Sequence, residues 1–319
     1  MKKWIKAARL RTLPLSISGI LVGSAAAFKE YHLQDNYYII VVLCLLTTLF
    51  FQVLSNYAND YGDAVKGTDN ENRVGPKRAV QSGEITKKQM KNAIIITSVF
   101  SLITSLGVIY ASFGNDDFLS AILYFVLAIA CVAAAIKYTV GNSAYGYRGL
   151  GDLFVFIFFG LVSTLGTYYL FGHTMNIAII FPATAIGLLS ISVLNMNNMR
   201  DVENDTVMGK NTLVVKMGFE KAKQYHFWLL IIATILFNLY AIYTFSKWYQ
   251  FIYVIGFIPL LKNIGIVSKA KNPRLLDPEL KRLSLSTFFI SLLLSIALIL
   301  NALIYENHLP WTRFFSDWS

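Results

Sequence analysis

The sequence predicts an all-α, polytopic membrane bundle of about nine transmembrane helices arranged as two pseudo-repeated halves. Three observations carry this. Hydrophobic residues make up 55% of the 319-residue chain, charged residues only 14%, and the mean hydropathy is +0.53, which overrides the soluble-domain expectation that length alone sets. The apolar residues gather into runs long enough to span a bilayer, against a requirement of roughly 17–25 residues. The basic residues, which outnumber the acidic ones for a net charge of +10, fall between those runs on alternate sides. Basic residues dispersed in this way argue against nucleic acid as a partner. Cys44 and Cys131 both lie inside apolar runs, and the four histidines are scattered, so neither a disulfide framework nor a zinc site is indicated.

In chain order, residues 1–13 (MKKWIKAARLRTL) alternate basic and apolar positions at helical spacing, with Trp4 and Leu10 on the apolar side. That pattern suits an amphipathic helix on the membrane surface, without a small-residue cleavage site, turning inward near Pro14. Spans follow at 14–28, 38–59, 90–112, 118–137, 152–171, 176–197, 224–245, 249–267 and 283–305. The first is short, and Pro259 is expected to kink the eighth. The segment from Lys66 to Lys91 and those after the sixth and eighth spans are rich in lysine and arginine; Gly114–Asp117 and Gly172–Thr174 have none. This bias places the N-terminus and the long loops (60–89 and 198–223) in the cytoplasm and the C-terminus outside. The whole chain, 1–319, is expected to form a single domain.

Two acidic, amide-flanked clusters sit in equivalent positions of the two halves, where apolar runs meet the cytoplasmic interface. The first reads Asn56-Tyr-Ala-Asn59-Asp60-Tyr-Gly-Asp63 and the second Asn197-Asn198-Met-Arg200-Asp201-Val-Glu203-Asn204-Asp205. Asn197, Asp201 and Asp205 are spaced i, i+4, i+8, which stacks three oxygen-bearing side chains on one helix face. Carboxylates stacked beside a membrane repel one another. A Mg²⁺ ion shared with a phosphate-bearing ligand removes that repulsion. Cations that suit phosphate oxygens follow each cluster: Arg73, Lys77 and Arg78 after the first, Lys210 after the second. A third polar stretch on the same side, Tyr138 through Tyr145, Tyr147 and Arg148 to Asp152, is rich in glycine and reads as a shaped loop near the ligand. A secondary transporter is the rival class, since repeats with buried carboxylates occur there; those carboxylates lie mid-span, whereas these lie at helix ends.

Two Asp-rich motifs on the second and sixth of nine spans resemble the UbiA superfamily of intramembrane prenyltransferases. The stretches AARLRTLPLSISGILVG, NYANDYGDAVKG, YGYRGLGDLFVFIFFG and NNMRDVENDTVMGKNTLVV look more narrowly like its 1,4-dihydroxy-2-naphthoate branch. The resemblance implies a UbiA-like bundle in the bacterial plasma membrane. It implies transfer of a polyprenyl group from polyprenyl diphosphate to 1,4-dihydroxy-2-naphthoate, with loss of diphosphate and CO₂. It further implies that Asn56, Asp60, Asp63, Asn197, Asp201 and Asp205 hold Mg²⁺, with Asp60, Asp63, Asp201 and Asp205 catalytic. Substrate contacts fall to Asn56, Asn59, Arg73, Lys77, Arg78, Tyr138, Tyr145, Arg148, Asn197, Arg200 and Lys210. The second motif fits the family spacing N-x3-D-x3-D. The first does not, because Asp60 is followed by Asp63 and position 64 is Ala; Asn59 with Asp63 is the alternative pairing.

Overall fold

The computed structural model describes residues 1–9, 12–31, 35–70 and 74–305; Leu10, Arg73 and the C-terminal residues after 305 lie outside them. The regular structure of the described residues is all helix, joined by turns and loops, with no strand among them. Helix α1 (Lys2–Ala8) is followed by α2 (Leu13–Tyr31), α3 (Tyr37–Lys66), α4 (Lys87–Phe113) and α5 (Phe118–Lys137). Then come α6 (Gly151–Gly172), α7 (Ile177–Arg200), two short helices α8 (Val202–Val207) and α9 (Leu213–Met217), α10 (Phe219–Thr244), α11 (Trp248–Lys269) and α12 (Asp277–Tyr305). Among the described residues, eight helices are long and apolar enough to cross a membrane, and a ninth is added if α1 and α2 count as one bent span.

Local chemistry sets the ends. Thr86 and Gln89 form a reciprocal capping box that starts α4, and the Asp117 carboxylate accepts the Ser120 N–H to start α5. At the end of α3, Gly67 takes φ 74, a left-handed conformation that glycine adopts without a Cβ clash. The expected spans differ in their ends more than in their existence. α3 runs on to Lys66 and α7 to Arg200, so both acidic clusters ride on helix rather than opening the loops at 60 and 198. The second of those loops is itself mostly helix, α8 and α9. α1 is shorter than the expected 1–13; it buries Ala7 and Ala8 against α3, and Trp4 meets Tyr57 edge-on at 5.7 Å. Pro259 lies near the junction where α11 changes from a 3-10 stretch (Trp248–Gly256) to an α-helix (Phe257–Lys269). Proline has no N–H to close the bond to the preceding turn, so the winding changes there.

Small residues bring α6 onto its neighbours. A Cβ on Gly160 would stand 2.6 Å from Gly187 Cα and 2.7 Å from the Ala183 carbonyl oxygen, so only glycine lets α6 and α7 cross this closely. The middle of α6, Phe156–Gly166, is wound as a π-helix, a rare geometry that tends to occur at functional sites. It lies between α2 and α7 and forms one wall of a cavity.

Candidate active site

The cavity, about 390 Å³, is bounded by α2 to α7. Its mouth is lined by Arg9, Asn56, Asn59, Asp63, Arg78, Asn197 and Lys210, and its depth by Ile20, Cys44, Val108, Ile109, Tyr124 and Leu170. One end is therefore charged and the other apolar.

The first cluster divides by helix face. Asn56, Asn59 and Asp63 sit at i, i+3 and i+7 on α3 and all line the cavity. Asp60, one position round, does not. It is 1% exposed, and its carboxylate accepts the Ala79 N–H at 3.1 Å and the Val80 N–H at 3.2 Å. The expectation that Asp60 faces a metal gives way to a different role: it fastens the loop that carries Arg78. That loop brings the guanidinium 2.8 Å from Asp63 and 3.1 Å from Asp69, with a further donation to the Asn59 carbonyl at 2.9 Å. Burial works against the Arg78 charge, but the surrounding carboxylates, Asp63 foremost, more than offset it and raise its pKa. Tyr147 donates to the other Asp63 oxygen at 2.7 Å and in turn receives the Thr68 hydroxyl at 2.6 Å. Burial, reinforced by the Asp63 charge, raises the Tyr147 pKa, so the phenol stays a donor. Asn56 donates to the Ala8 carbonyl at 2.9 Å and ties α1 to α3.

The second cluster is organised by a buried arginine. Arg200, 2% exposed, grips Asp201 with Nε at 3.0 Å and a terminal nitrogen at 2.6 Å, reaches Asn197 Oδ1 at 2.9 Å, and pairs with Asp277 at 2.6 Å. Its fork is thus committed to orienting the motif and does not line the cavity, contrary to the expected substrate contact. Asn197 and Lys210 line the cavity, and Asp201 and Asp205 do not. Asp205 is 2% exposed, with Lys210 Nζ at 3.6 Å from Oδ1, and Oδ2 has no hydrogen-bond partner among the described residues. Burial raises its pKa to about 6, with Lys210 opposing and the charges of Asp201 and Asp63 reinforcing the rise. Asn204 donates to the Thr68 carbonyl at 3.1 Å, which locks α8 to the end of α3 and brings the two clusters together.

Other expected residues part ways. Tyr138 and Tyr145 line the cavity, edge to face at 5.3 Å, and Tyr145 stacks on Phe154 at 3.9 Å. Lys77 and Arg148 are exposed and do not line it; Arg148 contributes only its carbonyl, which accepts Lys216 Nζ at 2.6 Å. Arg73 lies outside the described residues. Cavity residues that went unseen in the sequence include Arg9, Thr12 and Gln52. Arg9 reads as one more surface charge on an amphipathic helix, but it ends α1 at φ 50, and that left-handed turn sets it at the cavity mouth. The signal for Gln52 was available: a polar amide inside an apolar run is rarely idle. It donates to Thr12 at 2.9 Å.

No three His, Cys, Asp or Glu side chains among the described residues form a self-sufficient metal cage. Mg²⁺ typically takes one or two carboxylates together with substrate phosphates. The unpartnered, buried Asp205 Oδ2 is an oxygen such a cation would satisfy, so the donor set fits.

The profile of the UbiA prenyltransferase family matches residues 16–293. A 1,4-dihydroxy-2-naphthoate octaprenyltransferase of Haemophilus influenzae is 41% identical, over 94% of this chain and 96% of its own length. The Escherichia coli protein of the same name is 40% identical, over 93% and 95%. Among solved structures, a UbiA homolog from Archaeoglobus fulgidus superposes with a TM-score of 0.59 at 19% identity, covering 92% of this chain and 99% of that one. The same homolog has been solved bound to DMAPP and Mg²⁺, with a TM-score of 0.57 over 92% of this chain and 99% of that one.

Proposed function

The chain belongs to the UbiA prenyltransferase family, and on that premise we propose that it transfers a polyprenyl group from its diphosphate to 1,4-dihydroxy-2-naphthoate, releasing diphosphate and CO₂. The observation that carries the reading is one cavity that joins a cation-rimmed, carboxylate-backed mouth to an apolar, aromatic depth. The names of the H. influenzae and E. coli relatives support the naphthoate acceptor.

Asp63 and Asp205, with Asn59, Asn197 and Asp201, would hold Mg²⁺ at the mouth, where the ion supplies positive charge to the leaving diphosphate. The chain's own residues do the rest. Arg78 and Lys210, with Arg9 at the rim, engage the diphosphate oxygens, Arg78 by its fork and Lys210 as a point charge. In the ligand-free protein these cations already neutralise the carboxylates: Arg78 sits on Asp63 and Lys210 beside Asp205. A dianionic ligand and its cation would enter by exchange rather than by creating an unpaired charge. Tyr147 keeps Asp63 oriented through its hydroxyl. Ionisation of the allylic ester leaves a carbocation, which the faces of Tyr138, Tyr145, Phe154 and Phe158 would stabilise while the apolar walls keep water away. The chain is a multi-pass membrane protein of this family; the lysine and arginine distribution favours an orientation with the clusters facing the cytoplasm.

The test is purified protein in detergent, given a prenyl diphosphate, Mg²⁺ and either 1,4-dihydroxy-2-naphthoate or 4-hydroxybenzoate. Prenylation of the naphthoate alone is expected. Equal turnover of both acids would refute the acceptor assignment.

A further inference from the structure

We infer that Tyr124 sets the length of prenyl chain the cavity accepts; the inference rests on the prenyl-transfer reading above and adds to it the residue that measures the donor. Asp63 at the mouth and Cys44 at the deep end both belong to α3. Their separation along that helix is about 28 Å at 1.5 Å per residue, close to the full hydrocarbon thickness of a bilayer. A chain laid along this wall therefore runs nearly across the membrane before it meets an end.

The face that α5 turns to the cavity shows what that end is. It presents Tyr138 at the mouth, then Ala135, Ala134, Cys131 and Ala128, with Leu127 beside them, and finally Tyr124. Small side chains over about two turns make a groove, and the first ring below them stands at its end. Tyr124 cannot swing aside easily. Its hydroxyl donates to the Gly166 carbonyl at 2.7 Å across the seam between α5 and α6, and its ring lies 5.1 Å from Phe113 and 6.1 Å, nearly parallel, from Tyr169. A backed, tethered ring is a rigid floor; an unbacked one would yield to a longer chain.

The experiment compares kcat/KM for farnesyl, geranylgeranyl and octaprenyl diphosphates in wild type, Tyr124→Ala, Tyr124→Phe and Ala128→Phe, with a melting curve for each. Pocket discrimination of a few methylenes is worth at least about tenfold. Tyr124→Ala should raise the octaprenyl-to-farnesyl ratio by about tenfold. Ala128→Phe, which raises the floor by one turn, should lower it by a similar factor. Tyr124→Phe keeps the ring and its backing by Phe113 and Tyr169 but loses the tether to Gly166, and should raise the ratio by clearly less than Tyr124→Ala does. If Tyr124→Ala fails to fold, Ala128→Phe decides by itself. An unchanged ratio in both Tyr124→Ala and Ala128→Phe, or a shift in Tyr124→Phe as large as in Tyr124→Ala, overturns the floor assignment while the wild type remains active. A wild type that transfers no prenyl group from any donor overturns the underlying reading and this inference together.

Discussion

Exchanging Asp60 and Asp63 for Asn, one at a time, separates a residue that holds a loop from one that faces the ligand. The Asp60 carboxylate accepts two backbone N–H groups, from Ala79 and Val80. Asparagine keeps one acceptor oxygen and turns an NH₂ toward the second N–H, so one bond to a charged group, worth about 1.5–3 kcal/mol, is lost. That loss falls on the closed position of the loop that carries Arg78. With every 1.4 kcal/mol worth a factor of ten, donor KM should rise by about 10–100-fold while kcat changes little. Asp63→Asn removes charge from the cavity surface itself. If its contact is made mainly in the transition state, about 3–4 kcal/mol is lost and kcat falls by roughly 10²–10³-fold. The assay is Mg²⁺-titrated prenyl transfer by purified variants, with kcat and KM resolved separately. A kcat defect in Asp60→Asn as deep as that of Asp63→Asn, with KM unchanged, would show that Asp60 touches the ligand and that the loop-holding role is wrong.

Further outcomes follow from the same geometry. Arg78→Lys keeps the charge but loses the fork between Asp63 and Asp69, so donor KM should rise about tenfold with kcat nearly intact, read from initial rates. Arg148→Ala and Glu203→Gln should stay near wild type in the same assay, since Arg148 is exposed and Glu203 meets only Arg274 at an exposed 3.4 Å. Gly160→Ala forces a methyl against the backbone of α7 and should destabilise the bundle by about 1–3 kcal/mol, seen as a lowered Tm in detergent. Cysteines at Lys77 and Lys216 should react with a membrane-impermeant maleimide from the cytoplasmic side, and one at Asn115 only from outside.

Much of this architecture is legible in the chain because membrane physics is strict. Apolar runs had to become helices, since the bilayer offers no other partner for backbone N–H groups, and eight of the expected spans recur as helices long enough to cross. The clustering of Asn56, Asn59, Asp63 and Asn197 around one cavity is consistent with helical periodicity. A three-residue step from Asp60 to Asp63 cannot by itself say which of the two faces inward; the answer depends on where the Ala79 and Val80 N–H groups fall, in a loop nearly twenty residues away. Arg200 illustrates the same limit. Arginine next to aspartate in a phosphate-binding motif reads as a ligand contact, but Asp277, at the start of a distant helix, draws its fork inward. Arg9 was hidden because a left-handed turn at the end of α1, not the periodicity of the helix, decides where it points. The π-helical stretch of α6 has no signature in the sequence, because an all-apolar run suits the bilayer whichever way the helix is wound.

The central claim is that the two clusters act as one diphosphate site, and binding of an unreactive prenyl thiodiphosphate measures it without chemistry. Calorimetry on the purified protein should show Mg²⁺-dependent binding that weakens more than tenfold in both Asp63→Asn and Asp205→Asn and is unchanged in Glu203→Gln. Binding in Asp63→Asn or Asp205→Asn as tight as in wild type, or equally tight without Mg²⁺, would contradict it.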